Sequence, residues 1–444
     1  MDARWHPKRR LTSFQIIILG FLGVILLGAL LLMLPVSTRN GQAMPFLDAL
    51  FTSTSAVCVT GLVLHDTATT WSRFGQVVIL LLIQIGGMGV ITVAAAFALI
   101  SGRKISLMQR STMQEAISAP KVGGIVRLTS FIIKATLLIE LLGAAAMAPV
   151  FCRDFGARGL WMAVFHSVSA FCNAGFDLMG VRGEFSSLTS YAAQPVINVT
   201  IMLLIIVGGI GFLTWDDIRS HHLHVHQYRM QSKVILCATG ILLLLPALYF
   251  YFLEFAALPQ KERILSALFQ AVTPRTAGFN TVELTQLSEA GQYITVALML
   301  IGGSPGSTAG GMKTTTVAVL LSSAVSTFRR EECPHFFKRR IDDDVVKNAA
   351  TILMLYLMLF FFGGLTISIA EEIPMLTALF EAASAVGTVG LTLGVTPGLG
   401  TLSKLILIVL MFFGRVGGLT LIFAALSGKQ KNGAKYPREK VTVG

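Results

Sequence analysis

Four stretches of the 444-residue chain share one pattern of residue types that suits the binding of a dehydrated cation. Each contains an alanine, an apolar residue and a phenylalanine, then small residues, then a glycine nine or ten residues after the phenylalanine. Glycine reaches positive φ angles without steric cost, so it lets backbone carbonyls turn toward one point. Four such stretches around one axis would provide rings of carbonyl oxygens, which can replace the hydration shell of a monovalent cation. The stretches are residues 47–61, 161–175, 265–278 and 376–390.

The residues just before and at each glycine are the candidate cation ligands. A single stretch of this kind is more often a loop with a turn glycine, and only the fourfold repetition favours a binding function. The fourth stretch also contains Thr388-Val389-Gly390, which matches the start of the TVGYG filter of potassium channels. The candidate ligands, mostly through backbone carbonyls, are Val59, Thr60, Gly61, Asn173, Ala174, Gly175, Thr276, Ala277, Gly278, Thr388, Val389 and Gly390.

A glycine-rich run after the third stretch predicts a break inside an apolar segment. Its five glycines and one proline make a continuous helix less stable by roughly 8 kcal/mol. We therefore expect a loop at mid-membrane depth, below the glycine stretches; a helix kink that serves packing is the alternative. The run differs from a phosphate-binding loop and no strand precedes it, so nucleotide binding is not predicted. It comprises Gly302, Gly303, Ser304, Pro305, Gly306, Ser307, Thr308, Ala309, Gly310 and Gly311.

Three charged residues lie within apolar segments, where a charge costs about 2.5–3.5 kcal/mol on insertion scales. Lys313 and Arg415 are predicted near the depth of the glycine-rich run, and Glu140 lies farther out. Arg415 is either a packed arginine satisfied by loop carbonyls or a carboxylate, or a positive barrier below the glycine stretches. Glu140 is expected to make a structural polar contact.

The composition identifies the elements that position these residues as membrane helices. Of all residues, 54% are apolar and only 13% are charged, whereas soluble domains carry about 25% charged residues. These values exclude a disordered chain, a collagen-like chain and an ordinary soluble enzyme. The five cysteines lack the spacing of a zinc site or a disulfide framework.

The hydropathy pattern predicts eight transmembrane helices, and each consecutive pair flanks one of the four stretches as a short pore helix. The predicted fold is an all-α membrane protein with four span–pore helix–span repeats around one pseudo-fourfold pore. The predicted spans are residues 14–34, 74–100, 128–150, 192–214, 233–256, 291–323, 347–370 and 403–426. The predicted repeats are residues 1–110, residues 111–230, residues 231–345 with the broken exit helix, and residues 346–444 with a C-terminal tail.

The positions of lysine and arginine predict the orientation in the membrane. Five segments on the side of the N-terminus hold 23 of the 35 basic residues, and the opposite side holds eight. By the positive-inside rule, both termini are cytoplasmic and the four pore helices enter from outside. The net charge of +12 therefore reflects topology, and nucleic acid is not a predicted partner. The basic segments are residues 1–13, 101–127, 215–233, 324–347 and 428–444.

The four repeats together resemble the Trk/Ktr/HKT superfamily of cation transporters, over roughly residues 14–426. The length and the number of spans are most similar to KtrB-type subunits, the membrane components of Ktr potassium uptake systems. In that family each loop contributes one filter glycine. Serine at the first of these positions accompanies sodium preference in the plant branch, so glycine here implies potassium. The third loop differs from the other three because it is one residue shorter and contains Pro274-Arg275. The filter glycines correspond to Gly61, Gly175, Gly278 and Gly390.

The resemblance also implies how uptake is controlled. Residues 302–311, together with Lys313 and Arg415, correspond to an intramembrane gate. The resemblance implies a lipid-embedded homodimer in the plasma (inner) membrane. A cytosolic KtrA-like ring of RCK-domain proteins, which bind nucleotide, would regulate it. Potassium is the only metal ion expected, and no organic cofactor is expected in this chain.

Other functions remain open at the level of sequence. A sodium or mixed-cation transporter of the same fold is the main alternative. A potassium-binding subunit of an ATP-driven pump and a non-transport membrane protein are less favoured. The chain has no Walker motif, no HExxH motif and no recognisable Ser–His–Asp set, so an enzyme is not predicted.

Overall fold

A computed structural model describes residues 12–100, 105–117, 123–222, 224–418 and 420. Residues 1–11 of the basic segment 1–13, parts of the basic segment 101–127, the whole of 428–444 and the end of the last predicted span lie outside these residues. The described chain is helical except for loops, two isolated bridges and one antiparallel hairpin, which pairs His335–Phe336 with Arg339–Arg340. Short 3₁₀ helices are Pro35–Ser37, Met179–Val181, Thr189–Tyr191, Val225–Gln227, Leu284–Gln286 and Thr396–Gly398.

The first predicted repeat contains a long helix, a short buried helix and a second long segment that is sharply bent. Its helices are α1 (Ser13–Met33), α2 (Phe46–Val57), α3 (Thr67–Thr70), α4 (Arg73–Met88) and α5 (Val90–Ile100). α4 and α5 meet at Gly89, where φ is +84° and the axis turns by 99°. The predicted span over 74–100 therefore consists of two helices joined at a sharp bend, because a regular helix cannot include a residue with that φ.

The second predicted repeat has the same order of elements and the same kind of bend. A separate helix, α6 (Leu107–Ile117), precedes it. Its own helices are α7 (Ile125–Phe155), α8 (Arg158–Phe171), α9 (Pro195–Gly209) and α10 (Phe212–His221). The axis turns by 95° between α9 and α10, at Gly211 with φ +92°. The predicted span 192–214 therefore also consists of two helices joined at a sharp bend.

The third predicted repeat contains the expected break. Its helices are α11 (Met230–Tyr249), continued by a π-helix (Phe250–Glu254), α12 (Gln260–Val272), α13 (Glu289–Leu300) and α14 (Thr314–Phe328). The chain between α13 and α14 is not helical, as its glycines and proline predict. Its two ends lie side by side, because the Gly302 N–H donates to the Met312 carbonyl over 2.8 Å.

The fourth predicted repeat is the most regular. Its helices are α15 (Asp343–Glu371), α16 (Met375–Gly387) and α17 (Thr401–Val416). α17 ends before Gly417, whose φ of +89° matches the bends at Gly89 and Gly211. Three of the four predicted repeats thus place a glycine with positive φ at this point of the second span.

The long helices have the length and composition of membrane spans. Within the described residues, α1, α7, α11 with its π-helix, and α15 can each cross a membrane. The bent pairs α4–α5 and α9–α10 raise that number from four to six. The outer face of α7 exposes leucines such as Leu138 and Leu141, at 57% and 66%. A continuous apolar face of this kind is stable against lipid.

The short helices α2, α8, α12 and α16 form the buried centre of the molecule. The phenylalanine of each repeated stretch is 0% exposed: Phe51, Phe165, Phe269 and Phe380. Glycines in the second spans let the helices approach closely, since a methyl group at Gly86, Gly208 or Gly414 would overlap a carbonyl of the adjacent short helix. An ion pair of 2.9 Å between Lys404 and Asp48 connects α17 to α2.

Candidate functional site

In each loop that follows one of the four short helices, the sign of φ alternates in the same way along the chain. The glycine and the residue two before it have positive φ, and the residue between them does not. This alternation turns neighbouring peptide groups so that successive carbonyls can face one side. The φ values are +55° and +93° at Val59 and Gly61, +57° and +68° at Asn173 and Gly175, +69° and +80° at Thr276 and Gly278, and +52° and +93° at Thr388 and Gly390.

Hydrogen bonds from the short helices enforce this costly backbone. A positive φ at Val59 or Thr388 costs of order 1–3 kcal/mol, so the surroundings must hold it. In every loop the residue before the glycine donates its N–H to a Ser or Thr carbonyl in or just after the short helix. These bonds are Thr60 to Ser55 (2.8 Å), Ala174 to Ser169 (2.8 Å), Ala277 to Thr273 (2.9 Å) and Val389 to Ser384 (2.8 Å). One N–H group of each loop is therefore held by its own short helix.

The third loop adapts to its missing residue without losing this pattern. Its N–H to carbonyl bond spans four residues, from Ala277 to Thr273, and the bonds in the other three loops span five. The side chain of Arg275 turns away to Thr239, whose hydroxyl lies 3.2 Å from its guanidinium. The sequence departure at Pro274-Arg275 therefore leaves the alternating φ angles intact.

The four glycines form one closed ring. A methyl group on Gly61 would lie 2.5 Å from the Ala174 carbonyl oxygen, and one on Gly175 would lie 2.8 Å from that of Ala277. A methyl group on Gly278 would overlap Val389, and one on Gly390 would overlap Thr60, which closes the circle. The ring thus follows chain order, and no side chain fits at any of its four glycines. All twelve candidate ligands predicted from the sequence come together here.

A cavity of about 60 Å³ opens against the four glycines; we call it the mouth cavity. Asp177, Asn280 and Thr392, each two residues after a ring glycine, line it together with Asp66. Burial raises the pKa of Asp177 to about 7, and the neighbouring charge of Asp66 adds to that increase. Asp177 is not among the residues predicted from the sequence, although its place two residues after Gly175 is a usable signal.

The segment 302–311 is held mainly by backbone hydrogen bonds to other parts of the chain. Its Ser304 and Thr308 donate their N–H groups to the carbonyls of Gly209 and Gly208, over 3.0 and 3.2 Å. The Gly306 carbonyl accepts the N–H of Phe212 over 2.7 Å. The segment is therefore anchored to the bend between α9 and α10, and a packing kink alone does not describe it.

The same segment contacts the ring from the side opposite the mouth cavity. A methyl group at Gly310 would overlap the side chain of Thr388, and one at Gly311 would lie 2.8 Å from the Gly387 carbonyl oxygen. Thr388 is the residue two before the ring glycine of its loop. The segment therefore lies against the fourth loop on the N-terminal side of its ring glycine.

Arg415 and Lys313 surround this segment and contact carbonyls. Arg415 donates hydrogen bonds to the carbonyls of Thr308 and Gly86, and to that of Gly87 over 3.1 Å. The Lys313 ammonium donates to the Ala309 carbonyl over 2.8 Å. None of the ion pairs found within the described part of the chain includes either residue. Backbone carbonyls therefore solvate both positive charges, and those of Gly86 and Gly87 lie at the C-terminal end of α4.

A second cavity, of about 300 Å³, lies on the far side of segment 302–311. Arg415, Lys313 and Gly306 line it, and α6 contributes Glu115 and Ile117. This position of α6 was not predicted from the sequence. The carboxylate of Glu140, for which a structural polar contact was expected, accepts the Cys172 thiol over 3.9 Å.

The sequence places this fold and site in a known class of membrane proteins. The family model TrkH, described as a cation transport protein, matches residues 2–432. The chain therefore belongs to the TrkH family of cation transport proteins. No group of three or more His, Cys, Asp or Glu suited to a metal ion occurs in the ranges that the structure describes.

Particular members of the family are similar along their whole length. The chain is 40% identical to the potassium/sodium uptake protein NtpJ of Enterococcus hirae, with 98% of both chains covered. It is 38% identical to the Ktr system potassium uptake protein B of Bacillus subtilis, over 98% of this chain and 97% of that protein. The crystal structure of the potassium transporter TrkH from Vibrio parahaemolyticus has the same fold, with a TM-score of 0.74, 20% identity and coverage of 95% and 86%.

Proposed function

We propose that this chain is the membrane subunit of a potassium uptake system and conducts potassium through the ring of four loops. The alternating φ angles in all four loops, closed into one ring, carry this proposal. Carbonyls arranged in this way can replace the water around a potassium ion. The proposed ligands are the carbonyls of residues 59–61, 173–175, 276–278 and 388–390, and no organic cofactor is proposed for this chain.

The proposed architecture follows from the order of elements. Four repeats, with the limits 1–110, 111–230, 231–345 and 346–444, would surround one pseudo-fourfold axis and provide eight transmembrane crossings. The chain would lie in the plasma (inner) membrane among lipids, with both termini cytoplasmic. The basic segments on one side of the spans support this orientation.

A sodium or mixed-cation transporter is the second candidate, and one observation favours it. The Enterococcus hirae relative is named a potassium/sodium uptake protein. Gly61 in the first loop supports potassium, since serine at this position accompanies sodium preference in the plant branch of the superfamily that the chain resembles. Competition between the two ions distinguishes the candidates.

Uptake into cells that lack their own potassium transporters tests the function directly. We expect expression of the full chain to restore growth at low potassium, and rubidium uptake to be inhibited by potassium at lower concentrations than by sodium. Equal inhibition by both ions would support the mixed-cation alternative. Absence of uptake by correctly inserted protein, with and without sodium, would contradict both candidates.

We propose that segment 302–311, with Lys313 and Arg415, is the gate of this pathway. It contacts the ring at Thr388 and separates the ring from the 300 Å³ cavity. Its glycines and small residues allow two arrangements that differ by a few kcal/mol at most.

We also propose a homodimer regulated by a cytosolic ring of RCK-domain proteins that bind nucleotide. The Bacillus subtilis relative is named as part of a Ktr system, which supports a multi-component assembly. Docking would use the basic segments 215–233, 324–347 and 428–444. Neutralising the exposed Arg329 and Arg330 should weaken regulation more than conduction. Failure to co-purify a soluble partner under every nucleotide condition would contradict this proposal.

A further inference from the structure

The residue directly after the buried phenylalanine differs in chemistry among the four short helices. The four residues at this position are Thr52, His166, Gln270 and Glu381. Polar side chains this deeply buried are retained only where they are hydrogen-bonded. In two of the four loops the side chain reaches the same place, the backbone three residues beyond the ring glycine.

Glu381 holds the fourth loop through hydrogen bonds to the chain that follows its ring glycine. Its carboxylate accepts the N–H of Leu393 over 3.2 Å, and Leu393 lies three residues after Gly390. The same carboxylate accepts the hydroxyls of Thr392 and Thr396, over 2.5 and 2.6 Å. Glu381 is 0% exposed, so these three bonds replace the water that it loses.

His166 makes the corresponding contact in the second loop. Its Nε2 accepts the N–H of Leu178 over 3.3 Å, and Leu178 lies three residues after Gly175. Its Nδ1 lies 2.7 Å from the Met162 carbonyl, to which it must donate. This pair of bonds fixes the neutral tautomer with the proton on Nδ1. The ring also packs at 5.2 Å from Phe151.

The other two loops lack this contact. Gln270 donates to the hydroxyl of Thr295 in α13, and Thr52 donates to the Asp48 carbonyl within its own helix. Because the ring follows chain order, the second and fourth loops are opposite each other across the axis. We call His166 and Glu381 the two braces, since each bonds to the backbone beyond a ring glycine. They therefore act on one diagonal of the ring.

We propose that His166 and Glu381 are positioning residues that set the spacing of the ring carbonyls across this diagonal and so determine ion discrimination. Each of the two side chains anchors the backbone N–H of the leucine three residues after a ring glycine. The short piece of chain between them then cannot move outward, so the carbonyls of that loop keep their positions. A wider or softer ring discriminates less well between ions that differ in size. This inference rests on the proposed potassium function of the ring.

The test measures inhibition of rubidium uptake by potassium and by sodium in cells with equal amounts of each variant in the membrane. Glu381→Leu removes all three acceptor contacts, and His166→Phe keeps a ring but loses the acceptor nitrogen. We expect the ratio of sodium to potassium inhibition constants to fall about tenfold in Glu381→Leu and about fivefold in His166→Phe, because a buried hydrogen bond is lost in each.

Matched variants separate positioning from general damage. Glu381→Gln keeps an oxygen acceptor for the Leu393 N–H, so it should retain the parent ratio within about twofold. Gln270→Leu changes the same position in a loop without a brace and should also keep the ratio, even if it lowers the amount of protein in the membrane.

Two results overturn the inference. One is an unchanged ratio in either His166→Phe or Glu381→Leu, measured on a variant that inserts into the membrane as the parent does. The other is a fall in Gln270→Leu as large as in the brace variants. A parent protein that takes up rubidium but does not prefer potassium over sodium contradicts the proposed function instead, and the measurement on the parent reports this separately.

Discussion

The ring of four loops and the segment 302–311 meet at Thr388 and are built in opposite ways. Every loop of the ring has the same φ pattern and the same N–H to carbonyl bond, so four parts of the chain contribute nearly equally. Segment 302–311 comes from the third predicted repeat only. Carbonyls of the second repeat accept its N–H groups, and Arg415 of the fourth repeat donates to its Thr308 carbonyl. A near-symmetric ring suits the uniform coordination of one ion, whereas an asymmetric loop can move without disturbing that ring.

Crowding one glycine of the ring should have the largest effect. Gly61→Ser introduces a side chain 2.5 Å from the Ala174 carbonyl, at a φ of +93°. We expect the sodium to potassium ratio of inhibition constants for rubidium uptake to fall at least about tenfold, because strain of this kind costs 1–3 kcal/mol.

The control for this variant is Gly394→Ser. Gly394 also has a positive φ, of +87°, but nothing lies within 4 Å of a methyl group there. It should therefore keep the parent ratio. If Gly61→Ser inserts normally and keeps the parent ratio as well, the ring is not the selective element.

Removal of the asymmetric segment should change rate and not selectivity. Deleting residues 304–310 leaves Gly303 and Gly311 to be joined, and the neighbouring ends are already bonded through Gly302 and Met312. We expect the maximal rubidium flux to rise about fivefold with little change in KM, as for removal of a barrier of about 1 kcal/mol. A deletion variant that inserts and conducts no faster than the parent would show that the segment serves packing only.

The charge of Arg415 should account for part of that barrier. Arg415→Ala removes the charge and the bonds to Thr308, Gly86 and Gly87, whereas Arg415→Lys keeps the charge. We expect the alanine variant to raise maximal flux about threefold and the lysine variant to stay near the parent. Equal flux in the lysine and alanine variants would mean that the guanidinium contacts, and not the charge, close the pathway.

The smallest expected effect concerns the mouth cavity. Burial raises the pKa of Asp177 to about 7, so its carboxylate is charged above that pH and neutral below it. The attraction for potassium is therefore present at external pH 8 and lost as the pH falls through 7. We expect the apparent KM for uptake to rise about twofold between pH 8 and pH 6. Asp177→Asn should remove this pH dependence; an unchanged pH profile in that variant would contradict the assignment.

The repeated pattern of alanine, phenylalanine and glycine was enough to predict the four loops, because local sequence determines where a short helix ends and where a glycine after it can adopt a positive φ. The sequence also predicted the break after Leu300, since its glycines and proline disfavour a helix in any context. It did not predict the bends at Gly89 and Gly211. Single glycines are tolerated in helices, and only contacts with neighbouring chain segments select a positive φ there.

What the sequence by itself determined about this protein is thus its membrane class, its repeated units and the residues of the ring, all of which follow from composition and backbone preference. The tertiary structure decided the order of the loops around the axis, the carbonyl partners of Arg415 and the reach of His166 and Glu381 to the backbone beyond the glycines. Those contacts join residues distant in the chain, from 12 positions apart to more than 300. Local preferences do not encode such separations, because they depend on how all the helices pack together.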